Sequence, residues 1–144
     1  MTLRAFEASA NQARRLKGER CIRASLGYAD ALLLDFGALR LAHPSGVELP
    51  AIGLVAECPW RLDSQTNVIV GYGDPAEIGA ARLQECIGKS VTGVTIYKPS
   101  YMLRLKLEGD LVIWVFPDDS RRFSNDTDFN RSSWYIAGYT VDSE

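Results

Sequence analysis

Histidine is nearly absent from this chain, and cysteine is scarce. The 144 residues contain one histidine, His43, and three cysteines, Cys21, Cys58 and Cys86, without a Cys-x-x-Cys spacing. An odd number of widely separated cysteines argues against a disulfide framework, and no cysteine and histidine cluster has the spacing of a zinc site. We therefore expect no metal, no cofactor and a cytoplasmic, reducing compartment.

A membrane-spanning run and a surplus of basic residues are also missing. No segment approaches the roughly 20 apolar residues of a transmembrane helix, and residues 1–20 contain no apolar stretch of signal-peptide length. The net charge is −2 and the sequence pI is about 5.5, whereas domains that bind nucleic acid are typically basic. We expect neither a membrane nor a nucleic acid as partner.

The usual residues of nucleophilic hydrolysis are absent too. The single histidine would have to serve any Ser-His-Asp triad, and no Gly-x-Ser-x-Gly motif occurs. A pair formed by Cys58 and His43 remains an alternative, although a cysteine before Pro59 and Trp60 is more typical of a small buried side chain. The sequence favours a non-catalytic role, with loop carboxylates as the remaining enzyme hypothesis.

Two helices are predicted, one at the N-terminus and one in the middle of the chain. Over residues 1–18 apolar side chains recur at three- and four-residue steps, and Gly18 ends the pattern. The second helix, residues 75–87, follows Asp74, which is the expected N-cap, and Gly88 terminates it.

The strand-forming segments contain an internal repeat. The string LLLDFGALRL at residues 32–41 resembles LRLKLEGDLVI at residues 103–113, since each alternates leucine with other residues around a glycine turn. A strand that begins with tryptophan follows each string, at Trp60 and at Trp134. We interpret the pattern as a duplication, the alternative being that amphipathic hairpins with glycine turns look alike.

These elements define the predicted fold. We expect a single α+β domain over residues 1–144, with duplicated antiparallel hairpin units at 19–63 and 90–138 joined by the helix at 75–87. Two such units bury their apolar faces by forming a two-layer sheet or an open barrel.

The longest segment without a helix or strand pattern, residues 117–133, is acidic. It carries four aspartates, and Tyr135 follows it with an apolar ring and a polar tip. Asp126-x-Asp128-x-Asn130 begins like a calcium loop, but Arg131 stands where the turn glycine belongs. We therefore predict a recognition loop rather than a metal site, and we expect the binding residues to be Asp118, Asp119, Asp126, Asp128 and Tyr135. Most other aromatic side chains are expected in the core.

One motif resembles a known group of proteins. The string Cys58-Pro59-Trp60-Arg61-Leu62, followed by a Val-Ile-Val-Gly turn, a helix and a second hairpin, is similar to small bacterial domains of unknown function. This chain departs from their pattern at Tyr72-Gly73, where serine is usual. Domains of this kind resemble immunity or accessory proteins of bacterial toxin systems, and the group has no established catalytic residues to transfer.

The sequence therefore predicts a non-catalytic protein-binding domain, with an immunity-like inhibitor of a toxin as its specific form. The acidic loop suits a basic toxin domain as partner, and a homodimer is also compatible with the sequence. The alternative is a small-ligand-binding domain with a pocket between the two halves.

Overall fold

The computed structural model describes residues 3–42, 45–117 and 133–138. These ranges contain two helices and eleven strands: α1 (Leu3–Ala13), β1 (Cys21–Leu26), β2 (Leu32–Phe36), β3 (Arg40–Ala42), β4 (Val47–Leu49), β5 (Ile52–Glu57), β6 (Trp60–Asp63), β7 (Val68–Gly71), α2 (Ala76–Leu83), β8 (Val91–Tyr97), β9 (Met102–Leu107), β10 (Leu111–Val115) and β11 (Ser133–Gly138).

Nine of the eleven described strands form two antiparallel sheets that pack as two layers. The four-stranded sheet has the order β1-β2-β5-β11, and the five-stranded sheet has the order β7-β6-β10-β9-β8, while β3 and β4 pair only with each other. Buried side chains from both sheets belong to one continuous hydrophobic cluster. The predicted α+β class and the two-layer arrangement are therefore confirmed.

The helices lie beside the edge strands. Helix α1 packs against β11, and the 3-10 turn Arg14–Leu16 that extends it packs against β8. Helix α2 packs against β1 and β7. Each helix thus covers one edge of each sheet. No described helix is long and apolar enough to span a bilayer.

Alternation along the strands determines which side chains enter the core. In β9 and β10 the residues Leu103, Leu105 and Ile113 are fully buried, whereas their neighbours along each strand point outward. Trp134 is 0% exposed and Trp60 is 2% exposed. The expectation that both tryptophans belong to the core is confirmed.

The two tryptophans also make the same hydrogen bond. The indole N–H of Trp60 donates to the carbonyl of Asp30 at 2.9 Å, and that of Trp134 donates to the carbonyl of Tyr101 at 2.8 Å. Asp30 and Tyr101 lie at matching positions, two residues before Leu32 and Leu103, and both have a positive φ, 62° and 60°. Equivalent side chains thus reach equivalent carbonyls.

The segments that follow the helices are related in the same way. The N–H of Gly18 donates to the carbonyl of Val91, and the N–H of Gly88 donates to the carbonyl of Cys21, each at 2.8 Å. An isolated antiparallel bridge joins Arg20 to its counterpart Ser90. The strand orders β1-β2-β5 and β8-β9-β10 match as well. An approximate two-fold axis at this bridge therefore relates the halves.

The predicted match between the hairpins is wrong beyond the glycine turn. Strand β10 pairs with β9 through Leu107↔Leu111, and the strand that pairs with β2 in the same way is β5, through Phe36↔Ile52. The counterparts of Leu111 and Ile113 are thus residues of β5, not Leu39 and Leu41. The segment between β2 and β5 instead forms the small β3–β4 hairpin, in which the two short strands pair with each other and with neither sheet.

The start of α2 also differs from the prediction. Asp74 does not cap the helix, since its carboxylate accepts a hydrogen bond from the N–H of Gly71 at 2.8 Å, and no side chain caps the first turn. The aspartate closes the preceding turn instead. The helix itself lies where it was predicted, with its α-helical part ending at Leu83 and a 3-10 turn following.

Candidate interaction surface

The outer face of the five-stranded sheet carries three aromatic side chains. In β10 the buried residues Ile113 and Val115 alternate with Val112 and Trp114, so the indole of Trp114 points away from the core. Its ring centroid lies 6.3 Å from that of Tyr97 on β8 and 6.4 Å from that of Phe116, which follows the strand, and the rings are nearly parallel. The three rings therefore form one continuous row.

Two arginines flank this row. Trp114 pairs in register with Arg61 on β6 and with Arg104 on β9. The guanidinium of Arg104 lies 5.6 Å from the Trp114 ring centroid, and that of Arg61 lies 5.5 Å from the Phe116 ring centroid. Both contacts are within the range of cation–π attraction. We call Tyr97, Trp114, Phe116, Arg61 and Arg104 the aromatic face.

The two arginines differ in their charge environment. Arg61 donates two hydrogen bonds to the carboxylate of Asp63, at 2.8 and 2.9 Å, and its charge is thereby balanced. Within the described ranges, the guanidinium of Arg104 makes no ion pair or hydrogen bond, and neither does the ammonium of Lys106, two residues along on the same side of β9. The β9 side of the aromatic face is therefore positively charged.

The duplication provides an internal comparison. The registers place Val55 of the four-stranded sheet where the five-stranded sheet has Trp114, since Ala56 pairs with Leu32 and Trp134 as Val115 pairs with Leu103 and Trp60. The same comparison matches Arg104 with Leu33, Lys106 with Asp35, Phe116 with Glu57 and Arg61 with Tyr135. The two sheets thus have matching strand pairings, but among the described residues the row of aromatic rings and arginines occurs on the five-stranded sheet alone.

Of the predicted binding residues, Tyr135 lies within the described part of the chain, and it is not on the aromatic face. Asp118, Asp119, Asp126 and Asp128 lie outside the described residues. Tyr135 lies on the outer face of the four-stranded sheet, 38% exposed, and its hydroxyl donates a 3.4 Å hydrogen bond to Glu57. The chain passes from β5 to β6 through two residues, Cys58 and Pro59, whereas residues 116–132 separate β10 from β11. The segment that contains the four aspartates thus has no counterpart of similar length between β5 and β6.

A polar cluster anchors α1 to the β8–β9 turn. The Tyr101 hydroxyl donates a short hydrogen bond to the Glu7 carboxylate, which also accepts bonds from the Lys98 ammonium at 2.9 and 3.1 Å. The Tyr101 hydrogen bond lowers the pKa of Glu7, with Lys98 contributing, and the same bond raises the pKa of Tyr101 to about 12. Phe6 stacks on the Tyr101 ring at 4.9 Å. This cluster attaches α1 to the turn between β8 and β9.

The cysteines are buried thiols. Burial raises the pKa of Cys21 to about 11 and that of Cys58 and Cys86 to about 12, so all three stay protonated at neutral pH. The expectation that Cys58 packs as a small apolar side chain is confirmed, at 1% exposure. His43, its suggested partner, lies outside the described residues. Among the residues that the structure describes, no three His, Cys, Asp or Glu side chains could hold a metal ion.

Residue type alone assigns Tyr97, Trp114 and Phe116 to the core and gives no binding role to Arg104. The available signal was the alternation Leu111-x-Ile113-x-Val115, which places Trp114 on the opposite side of the strand from three apolar residues. The alternation in β9 places Arg104 and Lys106 on that same side. The sequence does not show that β9 and β10 are neighbours in the sheet, and this pairing is what brings the side chains together on one surface.

Comparison with known proteins gives one partial similarity. No family model and no solved structure matches the chain. Over 105 residues, 73% of its length, the chain is 28% identical to a protein of Aeropyrum pernix named tRNA-guanine(15) transglycosylase. The matching stretch is 19% of that protein, so the chain spans about a fifth of this relative's length.

Proposed function

We propose that the chain is a non-catalytic protein-binding domain and that a partner binds at the aromatic face. The observation that carries the proposal is the position of Trp114, half-buried between two arginines on the outer face of a sheet. Tryptophan, tyrosine and arginine are the residues most enriched among those that dominate binding energy at protein interfaces.

The duplication strengthens this argument. A fold requirement would act on both sheets, because their strand orders and registers match. The equivalent positions on the four-stranded sheet carry Val55 and Leu33 instead of tryptophan and arginine. The fold therefore does not need the aromatic face, and we assign its composition to binding.

The more specific prediction, an immunity-like inhibitor of a toxin, rests on the resemblance and on the acidic loop. Asp118 is two residues beyond Phe116 in the chain. Phe116 of the aromatic face is therefore close in the chain to the first of the predicted binding residues. A basic toxin domain as partner stays a prediction of the sequence.

The alternative hypothesis is that the aromatic face binds RNA, because the partially similar protein is named as a tRNA-guanine transglycosylase. Proteins that bind single-stranded RNA commonly stack bases on exposed aromatic ring faces. Here the guanidinium of Arg104 lies over the Trp114 ring, and that of Arg61 lies over the Phe116 ring. These contacts leave less ring surface for bases, and the net charge of −2 also favours a protein partner.

A small ligand between the two halves stays a prediction as well. The inner faces that would line such a pocket contribute Leu54, Leu62, Leu105 and Ile113, each 0% exposed and part of one cluster. These described side chains pack in one buried cluster, whereas the outer face carries partly exposed aromatic and basic side chains, and we therefore favour the outer face as the site.

The test compares Trp114→Ala with its structural equivalent Val55→Ala. Proteins captured from the source organism by the wild-type chain are identified, and their affinities for the purified variants are measured by calorimetry. We expect Trp114→Ala to weaken binding by at least about tenfold, as for a residue that dominates an interface. Val55→Ala should bind as the wild type does.

The variant Tyr135→Ala tests whether the partner instead binds on the four-stranded sheet, where Tyr135 lies. If Tyr135→Ala abolishes binding and Trp114→Ala leaves it unchanged, the partner binds at the four-stranded sheet and the proposal is wrong. Circular dichroism must show that each variant is folded before its affinity is interpreted.

A further inference from the structure

We infer that the aromatic face takes an extended acidic protein segment, with carboxylates against Arg104 and Lys106 and an apolar side chain against Trp114. This inference rests on the proposed function and names the chemistry of the partner.

The first step is the unused hydrogen-bonding capacity of Arg104. A guanidinium carries five N–H donors in a planar fork. The fork of Arg61 binds Asp63 with two of them, whereas that of Arg104 lies over the Trp114 ring and makes no hydrogen bond or ion pair within the described ranges. A carboxylate is the protein group that accepts two parallel bonds from such a fork.

The second step is the spacing of the two cations. Arg104 and Lys106 occupy alternate positions of β9 and share its outer face. Residues two apart on a strand are separated by about 6.6 Å, since each residue advances the chain by about 3.3 Å. An extended partner presents alternate side chains with the same spacing. Two carboxylates separated by one residue would therefore match the two cations.

The third step is the net charge of the surroundings. Among the residues that the structure describes, the outer face around Trp114 has three basic side chains, Arg61, Arg104 and Lys106, against one acidic side chain, Asp63. On the equivalent face of the four-stranded sheet, Arg23 forms an ion pair with Asp35, and Glu57 adds a second acidic group. Only the aromatic face thus favours an anionic segment.

The experiment selects partners from a phage-displayed library of random 12-residue peptides on the purified wild-type chain. Enriched peptides are synthesised with a fluorescent label, and their affinities are measured by fluorescence anisotropy at 50 and 300 mM NaCl. We expect enrichment of peptides with two Asp or Glu residues separated by one position, beside an aromatic or aliphatic residue.

Charge reversal locates the binding site of these peptides. Arg104→Glu and Lys106→Glu should each weaken binding by at least about tenfold, because each replaces an attraction with a repulsion. Arg104→Lys, which keeps the charge and loses the fork, should give an intermediate loss. Arg23→Glu, an exposed basic position on the other sheet, is the matched control and should leave the affinity unchanged.

Two results would overturn the inference. Enriched peptides that require Trp114 but lack paired carboxylates would show that the partner is not acidic, while the proposed function would stand. Tighter binding of a labelled 15-nucleotide single-stranded RNA that is lost in Arg104→Glu would identify a nucleic-acid surface, and both proposals would then fail.

Discussion

Replacing Trp60 or Trp134 with alanine tests the duplicated core. Each indole is at least 98% buried, and burying an aromatic side chain removes about 200 Å² from water. At about 25 cal/mol per Å² this burial is worth about 5 kcal/mol. Replacing a buried tryptophan with alanine typically costs about 3–5 kcal/mol of folding stability, a value close to this one. We expect each variant to lose that much stability.

The two losses should be unequal for a structural reason. Trp134 binds the carbonyl of Tyr101, whose side chain packs on Phe6 and hydrogen-bonds to Glu7 of α1. Trp60 binds the carbonyl of Asp30 at a turn. Removing Trp134 therefore also loosens the attachment of a helix, and we expect Trp134→Ala to be the more destabilising variant.

The assay is urea unfolding followed by far-ultraviolet circular dichroism, with Trp114→Ala as control. The Trp114 side chain is half-buried on the outer face, so its truncation should cost no more than about 2 kcal/mol. If both core variants lose less than about 1 kcal/mol, or if Trp114→Ala is the most destabilised of the three, the assignment of inner and outer faces is wrong.

Three further predictions concern pH, thiols and metal. Since the pKa of Glu7 is lowered from 4.5, its bonds stabilise the fold above pH 4.5 and are lost on further acidification, so Glu7→Gln should flatten the acid side of a pH–stability curve. Since the pKa of Tyr101 is raised from 10 to about 12, the stability that its hydrogen bond contributes is lost as the pH rises from 10 towards 12. The variant Tyr101→Phe should not show this loss. The three buried thiols should react with Ellman's reagent only on unfolding, and fast reaction of the native chain would contradict their burial. EDTA should leave the melting temperature unchanged, whereas a decrease of several degrees would favour the calcium interpretation of Asp126 and Asp128.

Much of the fold could be predicted because alternation and turn residues act locally. The buried leucines of β2 and β9 follow a two-residue period, and Gly18 and Gly88 terminate helices with φ of +88° and +86°. The prediction that Asp74 is the N-cap was wrong because its carboxylate accepts a hydrogen bond from the N–H of Gly71 instead of from an N–H of the helix. Local sequence does not show which of two such bonds forms.

The aromatic face could not be predicted in the same way. Its residues come from β6, β8, β9 and the end of β10, and their contacts depend on strand order and register. An apolar residue such as Trp114 is assigned to the core by its type, whereas its position on the strand places it outside. The structure resolves this conflict in favour of position.

Photo-crosslinking at matched positions tests the central claim most directly. A photoreactive amino acid is introduced at Thr95, which pairs with Arg104 beside the aromatic face, or at its counterpart Ser25, which pairs with Leu33 on the four-stranded sheet, in cells of the source organism. We expect a specific covalent adduct with a protein from position 95, its loss when Trp114→Ala is added, and none from position 25. An adduct from position 25 alone would contradict the assignment of the aromatic face as the binding surface.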